Sequence, residues 1–324
     1  SQIMKKKIKN ITKKIDNFFY KKFKSYKTTK SLENINEAQK IFSYLNEVGH
    51  ETKVRFVGGC VRKALCGEAI DDIDLATSLT PTEVKKILSE RNIRVIDTGI
   101  SHGTVTAILK DKKFEITTLR KDISTDGRHA NVEFTLDWKE DAQRRDFTLN
   151  AIYADIEGRI FDPLNGVSDL KKGIVKFIGK AEERVQEDYL RILRYFRFFT
   201  HYSQTDYDQT VIRVIKQNIN GLNLISKERI FDELKKILKL NNVHKLFQQD
   251  ISKEIIINIF PQLKNYKRLE ILENFENKIR KMYDEELILS LLIIDESNDN
   301  EYFFHKYKTS NALNKRLMNI KLNF

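Results

Sequence analysis

The sequence predicts an α+β protein in which an N-terminal α/β domain with one mixed sheet precedes an all-helical C-terminal half. Short runs rich in β-branched and aromatic residues are confined to residues 53–165. After Pro163 the apolar residues recur at helical spacing almost without interruption. Three prolines and twelve glycines in 324 residues are too few for the many tight turns of a β-sandwich.

The predicted elements follow in chain order. A helix over residues 36–48 ends before Gly49, and a strand over 54–57 leads through a glycine pair into a helical segment that reaches Leu65. Further strands are predicted over residues 73–76, 104–110, 114–119, 132–135 and 151–155. The helical half is predicted to contain helices over about 181–202, 208–219 and 227–240, the last with Ser226 as its N-cap.

Composition excludes several classes of protein. Hydrophobic residues make up 40% and charged residues 32% of the chain, which is typical of a soluble globular protein. The longest apolar stretch, residues 287–294, is too short to cross a bilayer. Cys60 and Cys66 are the only cysteines, so a disulfide framework and a zinc cluster are excluded.

Most of the net charge of +12 lies at the N-terminus. Residues 1–30 contain eleven lysines against one acidic residue, Asp16, and so hold ten of the twelve net charges. This basic arm predicts a polyanionic partner, and the charge alone leaves both nucleic acid and an anionic membrane surface open. A solvated tail or a targeting segment is the alternative interpretation.

A glycine turn lies thirteen residues before a pair of carboxylates. Gly58 and Gly59 follow a strand and open a helix, where the backbone can approach a phosphate, and Arg62 adds a positive charge. Asp72 and Asp74 alternate along a strand, so their side chains share a face and suit Mg²⁺ that carries the phosphates of a nucleotide. Each feature alone is compatible with an ordinary turn, but together they predict a nucleotidyltransferase active site.

Two further groups extend this site. Glu115, on a neighbouring strand, could accept the proton from an attacking 3′-hydroxyl, although a solvated strand glutamate is an equally open interpretation. Arg144 and Arg145 suit phosphates, while Asp146 and Asn150 can form hydrogen bonds with ribose hydroxyls. A surface cluster of ion pairs is the alternative for this second group.

The segment 187–198 carries the most specific pattern. On a helix, Asp188, Arg191 and Arg194 would lie along one side, with Arg197 one step further. Cytosine and adenine both present an amino group beside a ring nitrogen acceptor, so a carboxylate and a guanidinium can recognise both bases. Uracil and guanine present mismatched groups at these places. The alternative is an ordinary surface ion pair.

These stretches resemble, in order, the motifs of the class II tRNA nucleotidyltransferases, or CCA-adding enzymes, which share a family with bacterial poly(A) polymerases. The resemblance runs from about residue 53 to 235, and the wording of 187–198 is similar to alphaproteobacterial and mitochondrial versions. The motifs that carry it are Gly58-Gly59-Cys60-Val61-Arg62, Asp72-Ile73-Asp74-Leu75, Arg145-Asp146 through Asn150, and Glu187-Asp188 through Arg191.

The resemblance implies a head, neck, body and tail. The head would cover residues 31–165, the neck with its base-templating helix 166–240, and a tRNA-binding body and shortened tail 241–324. It further implies that Asp72 and Asp74 are metal ligands.

The resemblance also implies roles for the other motifs. Arg145 and Asp146 would hold triphosphate and ribose, Asp188 and Arg191 would template the base, and Arg194 and Arg197 would support the pocket and the phosphates. Residues 121–131, with Asp122, Asp126 and Arg128, would form a mobile loop that helps the change from CTP to ATP.

The resulting functional prediction is a template-independent enzyme that adds C, C and A to tRNA 3′ ends from CTP and ATP, with two Mg²⁺ ions. Poly(A) addition, CC-only addition, A-only addition and a non-catalytic tRNA-binding role stay open as alternatives. We expect a monomer or a weak dimer that does not bind membranes, in a bacterial cytoplasm or in the mitochondrial matrix.

Overall fold

The computed structural model describes residues 32–47, 51–125 and 130–323. The basic arm, and Asp126 and Arg128 of the predicted loop, lie outside the described residues. The predicted α+β class is confirmed, because the strands precede a long run of helices. The chain divides into two compact units. Among the described residues the first holds 32–172 and 176–179, and the second holds 173–175 and 180–323.

The first unit is built on a mixed sheet. Its described strands are β1 (Val54–Val57), β2 (Ile73–Thr77), β3 (Arg94–Gly99), β4 (Thr104–Leu109), β5 (Lys112–Thr118), β6 (Arg120–Thr125), β7 (Ala130–Phe134), β8 (Tyr153–Ala154) and β9 (Ile160–Phe161). Seven of these form the sheet in the order β3-β4-β5-β2-β1-β8-β9, and β2 and β5 run parallel whereas the other neighbours are antiparallel. The remaining two, β6 and β7, form a separate antiparallel hairpin.

Helices cover and connect this sheet. Apolar residues of the first helix, including Ile41, Phe42 and Leu45, pack in one buried cluster with Phe56 of β1 and Phe114 of β5. Burial of these side chains supplies the hydrophobic stabilisation that holds the central strands in place. The helices of the first unit are α1 (Leu32–Asn46), α2 (Gly59–Cys66), α3 (Pro81–Ser89), α4 (Trp138–Gln143) and α5 (Gly166–Lys172), and 3₁₀ helices occupy Ile100–His102 and Thr148–Asn150.

The described part of the second unit contains helices and no strands. Its buried hydrophobic residues are both aliphatic and aromatic, and the rings of Phe199 and Tyr207 stack with their centroids 3.9 Å apart. Its helices are α6 (Ala181–Glu187), α7 (Arg191–Tyr202), α8 (Gln209–Asn218), α9 (Lys227–Leu238), α10 (His244–Gln248), α11 (Asp250–Ile259), α12 (Asn277–Arg280), α13 (Glu285–Ile293), α14 (Asp299–Tyr307) and α15 (Asn311–Leu322), with 3₁₀ helices at Ile219–Leu224 and Tyr266–Asn274.

Two local predictions meet different outcomes. Ser226 is the N-cap of α9, as predicted, and its hydroxyl accepts a hydrogen bond from the Arg229 N–H at 3.3 Å. The single helix predicted over 181–202 is wrong, because α6 ends at Glu187 and α7 begins at Arg191. No helix in the described part of the chain is long and apolar enough to span a bilayer.

Candidate active site

The predicted glycine turn joins β1 to α2. Gly58 has a φ of 69° and a ψ of −123°, a backbone conformation that residues with a side chain strongly disfavour. Its N–H donates to the carbonyl of Ile152 at 3.2 Å, and its carbonyl accepts from the Arg62 N–H at 2.9 Å. The backbone itself therefore requires glycine here, independently of any ligand. Gly59 is the first residue of α2.

Three predicted nucleotide-binding side chains form a buried chain of hydrogen bonds. Arg62 donates to Oδ1 of Asn150, and Asn150 Nδ2 donates to Oδ1 of Asp146 at 3.0 Å. The same Asp146 oxygen accepts from the Phe147 N–H at 2.7 Å. All three polar side chains belong to residues no more than 7% exposed. These bonds tie the start of α2 to the 3₁₀ helix that carries Asn150.

The structure brings the three predicted carboxylates together. Asp74 and Glu115 are register partners on the parallel strands β2 and β5, so their side chains project from the same face of the sheet. Burial, and next the negative charge of Glu115, raise the pKa of Asp74 to about 6. Asp72 and Asp71 add to this rise, whereas the positive charge of Arg145 opposes it. A predicted phosphate-binding arginine therefore lies close to the carboxylates.

The carboxylates fit an open magnesium site. Within residues 32–47, 51–125 and 130–323, no group of three or more His, Cys, Asp or Glu side chains is placed so that it could hold a metal ion by itself. Mg²⁺ in nucleotide-handling sites is usually held by one or two carboxylates, with water and substrate phosphates completing its coordination. Asp72 and Asp74 supply that number. The pKa of Asp74 is raised first by burial and next by the negative charge of Glu115, and a cation would neutralise that charge.

Asp141 of α4 holds the two predicted phosphate-binding arginines. Its carboxylate accepts from Arg144 Nε and Arg145 Nη2, each at 3.1 Å, and from the Tyr153 hydroxyl at 2.5 Å. Asp141 is 1% exposed, and burial alone would raise its pKa. The charges of Arg145 and Arg144 outweigh burial and hold the pKa of Asp141 well below its ordinary range. The guanidinium groups of Arg144 and Arg145 are therefore oriented by a buried counterion, the Asp141 carboxylate.

Sequence reasoning did not single out Asp141 or Tyr153. A signal for Asp141 was present, because it precedes Arg144 and Arg145 by three and four residues, which is the spacing of neighbours on a helix. Tyr153 carried no such signal, since it lies on β8 and meets Asp141 only in the folded chain.

Asp188 lies in the break between α6 and α7. Its backbone is extended, with φ −153° and ψ 103°, and its Oδ1 accepts from the Leu190 N–H at 3.2 Å at the start of α7. Arg229 of α9 donates to both carboxylate oxygens, at 2.8 and 3.3 Å. Tyr189 packs so closely on Gly221 that a Cβ there would lie 2.1 Å from its ring. These contacts explain why the predicted continuous helix breaks here.

Arg191, the predicted partner of Asp188, is the first residue of α7 and is held from the preceding helix. Its Nη1 donates to Oε2 of Glu187 at 2.7 Å and to the Arg184 carbonyl at 2.9 Å. Glu187 also accepts from the Arg184 guanidinium. The two predicted base-selecting side chains are thus each anchored by another partner, Asp188 by Arg229 and Arg191 by Glu187.

The remaining predicted residues have mixed surroundings. Arg194 and Arg197 lie over the ring of Phe198, at 5.2 and 4.3 Å from its centroid, and Arg197 Nε also pairs with the buried Glu233. In the hairpin of β6 and β7, Asp122 lies opposite Val132.

Two family models match this chain, one mainly in the first compact unit and one in the second. A family model described as "Poly A polymerase head domain" matches residues 54–176, and one described as "Probable RNA and SrmB- binding site of polymerase A" matches residues 207–267. The Bacillus stearothermophilus CCA-adding enzyme in complex with CTP is similar in structure, with a TM-score of 0.69 and 30% identity over 89% of this chain and 69% of that one.

Two curated relatives show how far the sequence similarity extends. The human mitochondrial CCA tRNA nucleotidyltransferase 1 is 50% identical over 197 residues, which is 60% of this chain. The chain spans only 45% of the length of that relative. The CCA-adding enzyme of Streptococcus uberis is 37% identical over 297 residues, 88% of this chain and 70% of that protein. The resemblance in the motifs is thereby confirmed, and the chain belongs to the family of the CCA-adding tRNA nucleotidyltransferases.

Proposed function

We propose that this protein is a template-independent nucleotidyltransferase that adds C, C and A to tRNA 3′ ends from CTP and ATP. The observation that carries the proposal is the placement of Asp74 beside Glu115 and near Asp72, with the positive charge of Arg145 close by. The relative named as a CCA tRNA nucleotidyltransferase supports the choice of tRNA, and the CCA-adding enzyme in complex with CTP supports the choice of CTP.

The proposed reaction is a nucleotidyl transfer. The 3′-oxygen of the tRNA forms a bond to the α-phosphorus of the incoming nucleotide, and pyrophosphate leaves. Glu115 accepts the proton of the 3′-hydroxyl. Asp72 and Asp74 would hold two Mg²⁺ ions. When bound there, the ions would neutralise the charge on the attacking and leaving oxygens.

Other predicted residues bind and orient the nucleotide. Arg144 and Arg145 hold the triphosphate, and the buried Asp141 fixes the directions of their guanidinium groups. Asp146 and Asn150 bind the ribose and shape the turn at Gly58 through their hydrogen bonds to each other and to Arg62.

We propose that base selection resides in the second unit. The carboxylate of Asp188 accepts from the amino group of C or A, and the guanidinium of Arg191 donates to the adjacent ring nitrogen. Arg229 and Glu187 hold these two side chains in place. Arg194 and Arg197 support the pocket and the phosphates.

The deciding experiment supplies the purified protein with tRNA that lacks its 3′ CCA. CTP alone is expected to add two residues and then stop, and CTP with ATP is expected to complete one CCA end. Extension by ATP alone into a long tail would instead identify a poly(A) polymerase. Addition that halts after CC, or that begins only on a CC end, would identify a partial enzyme. Binding without any incorporation would leave a non-catalytic tRNA-binding protein.

Asp188→Ala is expected to blur nucleotide choice. The change removes the carboxylate that accepts from the amino group, and the absence of one good base-edge hydrogen bond costs about 1–3 kcal/mol of discrimination. UTP and GTP should then be incorporated measurably in single-nucleotide assays. Asp208→Ala is the matched control, because Asp208 also accepts from a backbone N–H two residues on, at 2.8 Å, at the start of α8. Wild-type fidelity in Asp188→Ala would show that Asp188 only stabilises the backbone between α6 and α7, through its hydrogen bond from the Leu190 N–H.

Deletion of residues 4–30 is expected to weaken tRNA binding. We propose that the arm lies along tRNA phosphates, and counterion release then reduces the log–log salt slope by about 0.9 for each duplex phosphate that the protein no longer neutralises. The slope should flatten by about 3–5 units, with a higher KM for tRNA and little change in KM for CTP. An arm of the same composition in scrambled order should restore the slope if the effect is electrostatic. An unchanged slope after deletion would exclude a role in tRNA binding.

The domain roles complete the proposal. Residues 31–165 form the catalytic head, 166–240 the base-selecting neck, and 241–324 the tRNA-binding body and tail. We expect a monomer or a weak dimer, in a bacterial cytoplasm or the mitochondrial matrix.

A further inference from the structure

A small basic cavity opens in the second unit, among residues that no step of the proposed reaction uses. Its volume is about 190 Å³, and its polar lining comes from the 3₁₀ helix 219–224, the start of α9, α11 and α14. The polar side chains that line it are Asn220, Asn223, Lys227, Asn258 and Lys306. No acidic side chain is among its lining residues in the described part of the unit.

The two lysines of this cavity lack an anionic partner. Within residues 173–323, neither Lys227 nor Lys306 forms an ion pair with a carboxylate, and both are half-buried. The Lys306 ammonium lies 5.5 Å from the ring centroid of Tyr307. Two ammonium groups that line one cavity repel each other, and the attraction of both to a bound anion would offset that repulsion. The three asparagine amides can donate hydrogen bonds to the oxygens of the same anion.

The size of the cavity limits what it can hold. Sites for whole small-molecule ligands usually occupy about 300–1,000 Å³, which is larger than this cavity. A cavity of about 150 Å³ accepts a molecule of the size of benzene, so a single phosphate group fits easily. The remainder of any larger ligand must then lie outside the cavity, across the protein surface.

The position of the cavity in the chain indicates the source of the phosphate. All of its lining residues except Lys306 and Tyr307 lie within 207–267, the region matched by the RNA-binding family model. We propose that this cavity binds one phosphodiester group of the RNA backbone, with Lys227 and Lys306 as its charged ligands. Identification of that RNA as tRNA rests on the proposed function.

The test measures equilibrium binding of tRNA by the full chain, without CTP or ATP, over a series of salt concentrations. The double variant Lys227→Gln, Lys306→Gln is expected to bind tRNA about tenfold more weakly near 150 mM salt, and the slope should fall by about 0.9 because one phosphate is no longer neutralised. Asn258→Asp, which places a carboxylate in the cavity at nearly constant size, should weaken binding in the same way. Thermal unfolding of each variant establishes that it is folded.

Lys315→Gln is the matched control for Asn258→Asp, because Lys315 is an exposed lysine of α15 outside the cavity and each of these two substitutions changes the net charge by one unit. Its tRNA affinity should stay within twofold of wild type. Equal losses in Lys315→Gln and in the cavity variants would overturn the site in favour of a general charge effect. Wild-type affinity and slope in the double variant would also overturn it.

A second experiment distinguishes binding of RNA from binding of free anions. Inorganic phosphate, pyrophosphate and CTP are titrated into the wild type and the double variant by calorimetry. Loss of pyrophosphate or CTP binding in the variant, with tRNA binding unchanged, would assign the cavity to a free anion and overturn the proposal. If the wild type itself fails to bind tRNA, the proposed function and this inference both fail, whereas binding that the variants do not weaken removes this inference alone.

Discussion

Asp74→Asn is expected to lower nucleotide incorporation by several orders of magnitude while tRNA binding persists. The substitution keeps the size of the side chain but removes an anionic oxygen ligand, which Mg²⁺ requires. Burial, and next the negative charge of Glu115, raise the pKa of Asp74 to about 6. Asp72→Asn should have a similar effect, because it removes the second carboxylate of the same cluster. Single-turnover incorporation of CTP is the measurement.

Asp71→Asn provides the matched control. Asp71 is exposed and its carboxylate pairs with the Lys63 ammonium at 2.5 Å, so it shares the sequence neighbourhood of the proposed metal carboxylates but has a lysine as its partner. Its removal should leave incorporation within a few fold of wild type. Near wild-type turnover in Asp74→Asn, or an equal loss in Asp71→Asn, would contradict the assignment of the metal ligands.

The raised pKa of Asp74 also predicts an effect on stability. The folded protein binds this proton more tightly than the unfolded chain, so the ionised carboxylate destabilises the fold above pH 6, and the cost disappears as the pH falls from about 6 toward the ordinary value of 3.8. In the absence of metal, Asp74→Asn should therefore raise the free energy of unfolding at pH 7.5 by on the order of 1–3 kcal/mol. The gain should shrink below pH 6. Urea unfolding of both proteins at several pH values measures it.

Those features of the fold that depend on neighbouring residues were predictable from the sequence. Ser226 is an N-cap because its hydroxyl needs only the N–H of Arg229, three residues on. The prediction that places both Asp72 and Asp74 on one strand is right only for Asp74, because β2 begins at Ile73 and Asp72 lies just before it. By contrast, the adjacency of Asp74 and Glu115 depends on the parallel register of β2 and β5, which no local pattern encodes.

The break in the helix at Asp188 shows what local reasoning leaves out. The apolar residues around it recur at helical spacing, and that pattern alone favours a continuous helix. Two distant partners favour the extended backbone instead. Arg229 is 41 residues away and pairs with the Asp188 carboxylate, and Gly221 leaves space for the ring of Tyr189. Tertiary contacts of this kind override local preference.

Asp141→Asn is expected to weaken both the fold and nucleotide binding, because Asp141 is a positioning residue for Arg144 and Arg145. Its carboxylate is the buried counterion of both guanidinium groups, at 3.1 Å from each. Loss of one partner from a buried ion pair costs about 3–5 kcal/mol of folding free energy. The substituted amide would also turn a donor toward the guanidinium groups or leave one of them unpaired. Urea unfolding measures the loss of stability.

The pH dependence of that loss has a defined sign. The folded-state pKa of Asp141 lies below its ordinary value, so the stability that it contributes is fully present above about pH 4 and is lost as the pH falls further. The difference in free energy of unfolding between wild type and Asp141→Asn should therefore stay constant from pH 8 to pH 5 and become smaller only in stronger acid. A difference that already narrows near pH 6 would contradict the role of Arg144 and Arg145 in holding the charge.

A kinetic readout separates positioning from simple stabilisation. Arginines that have lost their orientation bind the triphosphate poorly, so the KM for CTP should rise at least tenfold while the equilibrium affinity for tRNA changes little. Tyr153→Phe removes only the hydroxyl that donates to Asp141 at 2.5 Å, keeps the ring buried, and should give a smaller rise in the same direction. Glu140→Gln, one residue before Asp141, is the control and should leave the KM for CTP unchanged. Both measurements are made well below the unfolding temperature of the variant. If Asp141→Asn lowered stability but left nucleotide affinity unchanged, the role of Asp141 would be limited to stabilising the fold.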